Sequence, residues 1–280
     1  MAKQKTEAPK VNISQSLIKN IWDYAYGDGC GMALREIDIL KKYTREPSAA
    51  MKLGQYFEYL CTGQVLRDGS IPSMPQTTKG APTADAKRAV IQSNNFKKML
   101  KAKGIEVHDV GVVEEWEGHK VVLDALISTP DYDQAILDIK FSGLLGDRWH
   151  DMGWTPETYD YRHGLKIQPI FYKYVYWKAH EVYDMPFYYA IHSSKNETDY
   201  DMWEVNIVNF ERVMEELENE LVKVKALIAE ADKFTPRPEM KRCLKCPMFS
   251  DCLFREEVPA TKSVSVFNFR DENRPDTKAS

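Results

Sequence analysis

Two short strings in this sequence carry side chains that could hold and use a metal ion. LDAL contains Asp124, and LDIK contains Asp138 and Lys140. If the strings form neighbouring strands, Asp138 and Lys140 project from one face of the sheet, with Asp124 at a comparable depth. Two carboxylates this close repel each other, and a hard cation such as Mg²⁺ or Mn²⁺ removes that repulsion. The residue types therefore predict a cation site with a lysine beside it.

Phosphodiester hydrolysis is the chemistry that suits such a site. A bound cation polarises a phosphoryl oxygen and lowers the pKa of a water molecule, while a lysine orients that water or stabilises the developing negative charge. A D-x-K string alone is more often an exposed charge pair on a strand. The prediction therefore depends on the residues that accompany it.

Two predicted helices carry polar residues that could accompany this string at the site. The first covers about residues 48–65 and contains GQYFE, in which Gly54 should let another backbone approach on the face from which Glu58 projects. The second covers about residues 164–181 and places Gln168 and Tyr172 one turn apart. Taken singly, Glu58 is typical of a solvated helix residue and Tyr172 of a core aromatic.

The remaining pattern predicts an α/β fold. Helical periodicity runs from Ser14 to about Leu40, broken by glycines around Cys30, and a further helix covers about 84–103. From Val107 onward the sequence, rich in β-branched residues and divided by turn signals, predicts three strands in an antiparallel meander. Two more strands, PFYYAIHSS and DMWEVNIV, precede a long amphipathic helix, FERVMEELENELVKVKALIAEA.

These elements predict one domain over residues 11–255, with its core at about 48–208. The polar ends, residues 1–10 and 256–280, are expected to be flexible, although SVSVFNF in the tail could pair as a short strand.

In their order and spacing, GQYFE, LDA, LDIK and QPIFY resemble the RecB-like branch of the PD-(D/E)XK nucleases. The resemblance implies a restriction-endonuclease-like core of helix, three-stranded antiparallel meander, helix and strand, with helices added at both ends. It implies Asp124 and Asp138 as metal ligands, the Ile139 carbonyl as a backbone ligand and Lys140 as the catalytic lysine. Gln168 and Tyr172 would be accessory or DNA-contacting residues. At the position of Glu58 many iron–sulfur members carry histidine and others glutamate, which can also ligate the metal.

Three cysteines near the C-terminus have the spacing of a metal site, C-x2-C-x5-C, formed by Cys243, Cys246 and Cys252. Three thiolates need a fourth ligand. Several RecB-like nucleases, including the CRISPR-adaptation family, pair such a triplet with a lone N-terminal cysteine around a [4Fe-4S] cluster, which implies Cys30 here. Zinc accepts four cysteines equally well. Cys61 is left as a core residue.

The long connection over residues 142–163 is rich in cations and aromatic rings. These side chains could bind phosphates and unstacked bases, or the aromatic ones could simply cover the core. The residues concerned are Arg148, Trp149, Trp154, Tyr159, Tyr161, Arg162 and His163, with His150 and His163 as less typical metal ligands.

Composition argues against two classes of protein, those that bind nucleic acid through bulk positive charge and those that span a membrane. Among 280 residues the formal net charge is −4, which argues against binding nucleic acid through bulk positive charge but is compatible with a carboxylate-rich metal site. No stretch approaches a membrane span and the N-terminus lacks a signal-peptide core, so we expect a cytoplasmic protein.

The leading hypothesis is a Mg²⁺- or Mn²⁺-dependent deoxyribonuclease, with exonuclease action on DNA ends or single strands in recombination, repair or phage DNA metabolism. The alternatives are a non-cleaving DNA-end-binding module and a metal-clasped scaffold on the same fold. Retention of Asp124, Asp138 and Lys140 argues against both.

Overall fold

A computed structural model describes residues 11–143 and 167–257 of the chain. The α/β class is confirmed. The main elements, in chain order, are α1 Gln15–Tyr26, α2 Ala49–Thr62, α3 Ala84–Lys103, β1 Glu106–Trp116, β2 His119–Ser128, β3 Ala135–Ser142, α4 Ile167–His180, β4 Phe187–Ser193, β5 Tyr200–Glu204 and α5 Phe210–Ala229. Shorter helical pieces are Gly31–Ala33, the π-helix Leu34–Ile39, Ala231–Lys233, Met240–Cys243, Phe249–Asp251 and Arg255–Glu257.

The five strands form one mixed sheet in the order β1-β2-β3-β4-β5. Neighbouring strands are antiparallel except β3 and β4, which are parallel. A parallel pair needs a crossover connection, and α4 lies within it. The β1–β2 hairpin closes at Glu117-Gly118, where both residues have positive φ, as a tight two-residue hairpin turn requires.

The helices that flank the site begin and end at residues with capping chemistry. Ser48 and Thr83 each accept a hydrogen bond from the backbone N–H three residues later, which stabilises a helix start by about 1 kcal/mol. Gly63 and Gly104 adopt left-handed conformations that end α2 and α3. Local sequence therefore defines both elements.

Two apolar cores lie against the sheet. In the first core, α1, α4 and α5 pack against the strands through residues such as Ile18, Phe171 and Leu217. In the second core, α2 and α3 pack through Phe57 and Phe96. The sheet is thus covered by helices from both cores, which is the reason that most residues of β3 and β4 are buried.

One boundary agrees with the sequence expectation and one differs from it. The helical pattern that reaches Leu40 is interrupted at the predicted glycines, since α1 ends at Tyr26 and the chain resumes as the short turn and the π-helix. The strand predicted for DMWEVNIV ends at Glu204, because its partner β4 begins at Phe187 and Val205 makes the last backbone hydrogen bond to it, at 2.8 Å. Within the described ranges, no helix has the length and apolar character needed to cross a membrane.

Candidate active site

Strands β2 and β3 stop pairing at the two aspartates. Their ladder runs from Ile127 opposite Ala135 to Ala125 opposite Leu137, so Asp124 and Asp138 are the next residues on each strand. At this point Asp124 Oδ2 accepts a hydrogen bond of 2.8 Å from the backbone N–H of Ile139. The side chain of Asp124 is therefore held against β3 where the two main chains separate.

Asp138 lies at the centre of a small polar cluster. Its side chain is only 1% exposed, and it forms an ion pair with the ammonium group of Lys140, two residues along the same face of β3. From α4, the Gln168 Nε2 donates a hydrogen bond to the other oxygen, Oδ2. Both oxygens of this carboxylate are thus in contact with donors that fix its orientation.

Glu58 approaches the same cluster from α2. Burial, together with the negative charge of Asp138, raises the pKa of Glu58 from its usual 4.5 to about 7, although Lys140 opposes the change. Burial also raises the pKa of Asp124 well above its ordinary value, and the charges of Asp138 and Glu58 add to that effect. The site therefore holds more negative charge than one lysine neutralises.

Lys140 stays protonated although its side chain is partly buried. Removal from water would lower its pKa, but the charges of Asp138 and Asp124 outweigh that effect and raise it. Burial raises the pKa of Asp138 as well, while Lys140 and Gln168 act in the opposite direction. The lysine thus supplies a fixed positive charge at the carboxylate cluster.

Two tyrosines border the cluster. The Tyr172 side chain on α4 hydrogen-bonds with Gln168, and burial followed by the nearby carboxylates raises its pKa far above the usual value. Tyr189 lies directly beside Asp138 in the parallel β3–β4 register, and the Lys140 Nζ lies 5.6 Å from its ring centroid. Tyr189 is fully buried and its pKa is also raised strongly by burial, so both phenols remain neutral.

The N-terminal helix contributes a second lysine. Lys19 on α1 is partly buried, and its pKa is lowered first by burial and then by the charge of Lys140. Neither Lys19 nor Tyr189 was predicted as a site residue. The position of Lys19 depends on α1 packing beside α4, for which the local sequence carries no signal, whereas Tyr189 follows from the parallel pairing of β4 with β3.

The structure brings together six of the residues singled out in the sequence, namely Glu58, Asp124, Asp138, Lys140, Gln168 and Tyr172. Ile139 contributes the N–H described above, and its carbonyl as a ligand stays a prediction. Among the described residues, no atom lies within 4 Å of the place where a Cβ would stand at Gly54, so none of them makes the close backbone approach expected there. Arg148, Trp149 and the other residues singled out in the 142–163 connection lie outside the described ranges, as does SVSVFNF.

The cysteines of the predicted cluster also converge. Burial raises the pKa of Cys246, and the charges of Cys30, Cys243 and Cys252 raise it further, so the four thiols lie within electrostatic reach of one another. Backbone N–H groups point at two of them, from Arg237 to the Cys30 Sγ at 3.5 Å and from Glu239 to the Cys243 Sγ at 3.3 Å. Such N–H···S contacts are typical of thiolates that bind metal.

Contacts between the N- and C-terminal segments hold this cysteine region together. Gly31 donates a backbone hydrogen bond of 3.0 Å to Thr235, and there is no room for a side chain at Gly31, since a Cβ would stand 2.5 Å from the Thr235 carbonyl oxygen. Arg237 donates to the carbonyls of Tyr24 and Gly27 at 2.9 and 2.5 Å. Cys61 is separate from these contacts and is buried in the second core, as predicted.

The donor sets fit two different metals. Carboxylates suit a hard cation, and four thiols suit iron or zinc. In their present arrangement, no three histidine, cysteine, aspartate or glutamate side chains of residues 11–143 and 167–257 form a ready metal site. At the carboxylate cluster, Lys140 and Gln168 contact the oxygens of Asp138 that a cation would use.

Comparison with known proteins supports the fold. No family model matches the chain, and no curated protein matches it. A solved structure named "Putative exonuclease", from Eubacterium rectale, is similar over 94% of both chains with a TM-score of 0.58 and 19% sequence identity. At that identity the similarity shows a shared fold. A second structure, SSO0001, covers 60% of this chain and 75% of its own at 11% identity, and its TM-score of 0.26 is too low to carry an argument.

Proposed function

We propose that this chain is a metal-dependent DNA nuclease of the RecB-like PD-(D/E)XK type. It would hydrolyse phosphodiester bonds with Mg²⁺ or Mn²⁺, as an exonuclease on DNA ends or single strands in recombination, repair or phage DNA metabolism. One observation carries the proposal: Glu58, Asp124 and Asp138 converge from one helix and two strands around the protonated Lys140. Their mutual repulsion is an energetic cost that folding alone does not explain.

The order of elements supports the same assignment. The helix with Glu58, the antiparallel strands β1 to β3, the helix with Gln168 and the parallel strand β4 follow one another as the family pattern implies. The shared fold with a protein named "Putative exonuclease" agrees with it. The nuclease assignment, however, depends mainly on the residues at the site, because one fold can host many functions.

Glu58, Asp124 and Asp138 are the side chains that would hold the catalytic cation, with the carbonyl of Ile139 as a further ligand. A bound Mg²⁺ or Mn²⁺ would offset the phosphate charge and supply hydroxide at neutral pH. The raised pKa values of Glu58 and Asp124 support this fit, because a cation would favour the ionised form that the metal-free site disfavours.

The protein residues then have separable roles in hydrolysis. Lys140 would hold a positive charge where the transition state gains negative charge, because the surrounding carboxylates keep it protonated. Gln168 would keep the Asp138 carboxylate in one orientation through its hydrogen bond. Tyr172, kept neutral by burial, would remain a hydrogen-bond donor beside the reacting phosphate.

Cys30, Cys243, Cys246 and Cys252 would hold a structural [4Fe-4S] cluster, with zinc as the competing metal. The N–H groups aimed at the Cys30 and Cys243 sulfurs support thiolates at these positions. A cluster there would join segments more than two hundred residues apart and stabilise the contacts between Gly31 and Thr235.

Substitution at the cluster tests the nuclease proposal. We expect Asp138→Asn and Lys140→Gln to reduce metal-dependent release of nucleotides from labelled DNA by about 100-fold or more. The control is Lys120→Gln, which removes a lysine from β2 that forms an ion pair with exposed Glu115. Single-stranded, blunt and tailed DNA would each be tested with Mg²⁺, Mn²⁺ or EDTA.

Full activity in both site variants would refute the site. A wild-type protein that binds these DNAs and cleaves none of them with either metal would instead be a non-cleaving binding module.

A further inference from the structure

A groove of about 420 Å³ opens on the second-core side of the sheet. Its walls come from α2, from the last turns of α3 and from the start of β1, and they are formed by Cys61, Phe96, Lys97, Leu100, Lys101 and residues 104–107. We propose that this groove binds the sugar-phosphate backbone of a single DNA strand next to the carboxylate cluster. The inference rests on the proposed nuclease function and adds the location of the strand.

The groove carries positive charge that other described residues do not neutralise. Lys97 and Lys101 are exposed and lie four residues apart, on one side of α3. Within residues 11–143 and 167–257 neither forms an ion pair, and Glu106 is the one acidic residue that lines the groove. A lysine in the last turn also suits the helix dipole, which accounts for Lys101 but not for Lys97.

Cys61 connects the groove to the carboxylate cluster. This thiol lies in the groove and one helical turn after Glu58, a separation of about 4.5 Å along the axis of α2. Burial raises its pKa, the charge of Lys97 opposes that change, and the charge of Glu58 adds to it. Both Lys97 and Glu58 are therefore within electrostatic reach of one buried atom, so a strand of a few nucleotides in the groove would extend along α2 toward Glu58.

The lining indicates the class of ligand. Phosphates match the two lysines, and the apolar surface of half-buried Ile105 and exposed Val107 matches the sugar and base faces. A volume of about 420 Å³ is that of a small-molecule site, which accommodates a nucleotide or two of one strand and not a duplex. An exonuclease that separates the strand it degrades would need such a path beside its carboxylates.

The test measures binding of a fluorescein-labelled oligodeoxynucleotide by anisotropy in EDTA, so that no cleavage occurs. We expect Lys97→Gln/Lys101→Gln to weaken binding by about 20-fold at 0.1 M salt, because each phosphate contact to a single strand releases about 0.7 counterion. The slope of log affinity against log salt should become shallower by about 1.4. The matched control is Lys225→Gln/Lys233→Gln, which removes the same charge from exposed lysines on and just after α5, on the first-core side.

A second measurement locates the contact without any substitution. Saturating oligonucleotide should protect Lys97 and Lys101 of the wild-type protein from acetylation by acetic anhydride, read by mass spectrometry, and should leave Lys225 and Lys233 reactive. Equal affinity and slope in the two double variants, no protection of the groove lysines, or no binding by the wild type would each overturn the proposal. Because the binding assay contains no metal, a protein that binds in the groove but cleaves nothing would contradict the nuclease assignment alone.

Discussion

Replacing Glu58 with glutamine should make the metal-free protein more stable at alkaline pH. Glu58 has a pKa of about 7 in the folded chain and 4.5 as its ordinary value, so ionising it in the folded state costs about 3 kcal/mol at pH 8. Glutamine removes that cost but still buries an amide and loses the attraction to Lys140. We therefore expect a net gain of about 1–2 kcal/mol, although most substitutions destabilise.

The pH dependence of the free energy of unfolding follows from the direction in which folding changes the pKa of Glu58. A carboxyl group whose pKa is raised by folding binds its proton more tightly in the folded state, so its contribution to stability is greatest below pH 4.5. That contribution is lost as the pH rises from 4.5 to about 7. The Glu58→Gln variant does not lose this stability, because glutamine has no proton to release in this pH range. The difference between variant and wild type should therefore be small near pH 5, grow through pH 7 and then level off.

Urea unfolding followed by tryptophan fluorescence, in EDTA and between pH 5 and 8.5, would measure this difference. The control is Glu215→Gln, which makes the same change at an exposed position of α5. Mn²⁺ at about a hundred times its dissociation constant should then reverse the order, because it stabilises the wild type by about 2.7 kcal/mol and the variant by less. A variant no more stable than wild type at pH 8, with a parallel pH profile, would refute the repulsion inferred at this cluster.

Two further predictions concern the cysteines of the predicted metal cluster and the second lysine of the site. Cys30→Ser should remove the brown colour and visible absorbance of the purified protein and lower its iron content, whereas Cys61→Ser should leave both unchanged. A colourless wild-type protein with stoichiometric zinc would rule out the iron–sulfur assignment. Lys19→Gln should raise KM for DNA about tenfold with little change in kcat, because it removes a second cation that lies within electrostatic reach of Lys140. A Lys19→Arg variant should restore most of the affinity, and an unchanged KM in Lys19→Gln would place this lysine outside the substrate path.

Helix limits and the order of acidic residues follow from interactions that span a few positions. Ser48 and Thr83 start α2 and α3 through hydrogen bonds to the third residue beyond them, and Gly63 and Gly104 end them, as short-range capping rules require. Alternation along β3 likewise places Asp138 and Lys140 on one face. The helix limits and the shared face of Asp138 and Lys140 can therefore be predicted from the amino-acid sequence.

Other features depend on which distant elements come to lie side by side. Lys19 approaches Lys140 because α1 packs beside α4, and Tyr189 borders Asp138 because β4 pairs in parallel with β3. The strand after β4 ends where its partner does, and no described residue makes the close approach that the spacing of Gly54 to Glu58 predicted. No local periodicity encodes these contacts, since each depends on packing between segments tens of residues or more apart. For this reason the residue types at the site could be read from the chain, whereas its charge balance and its full set of neighbours required the tertiary structure.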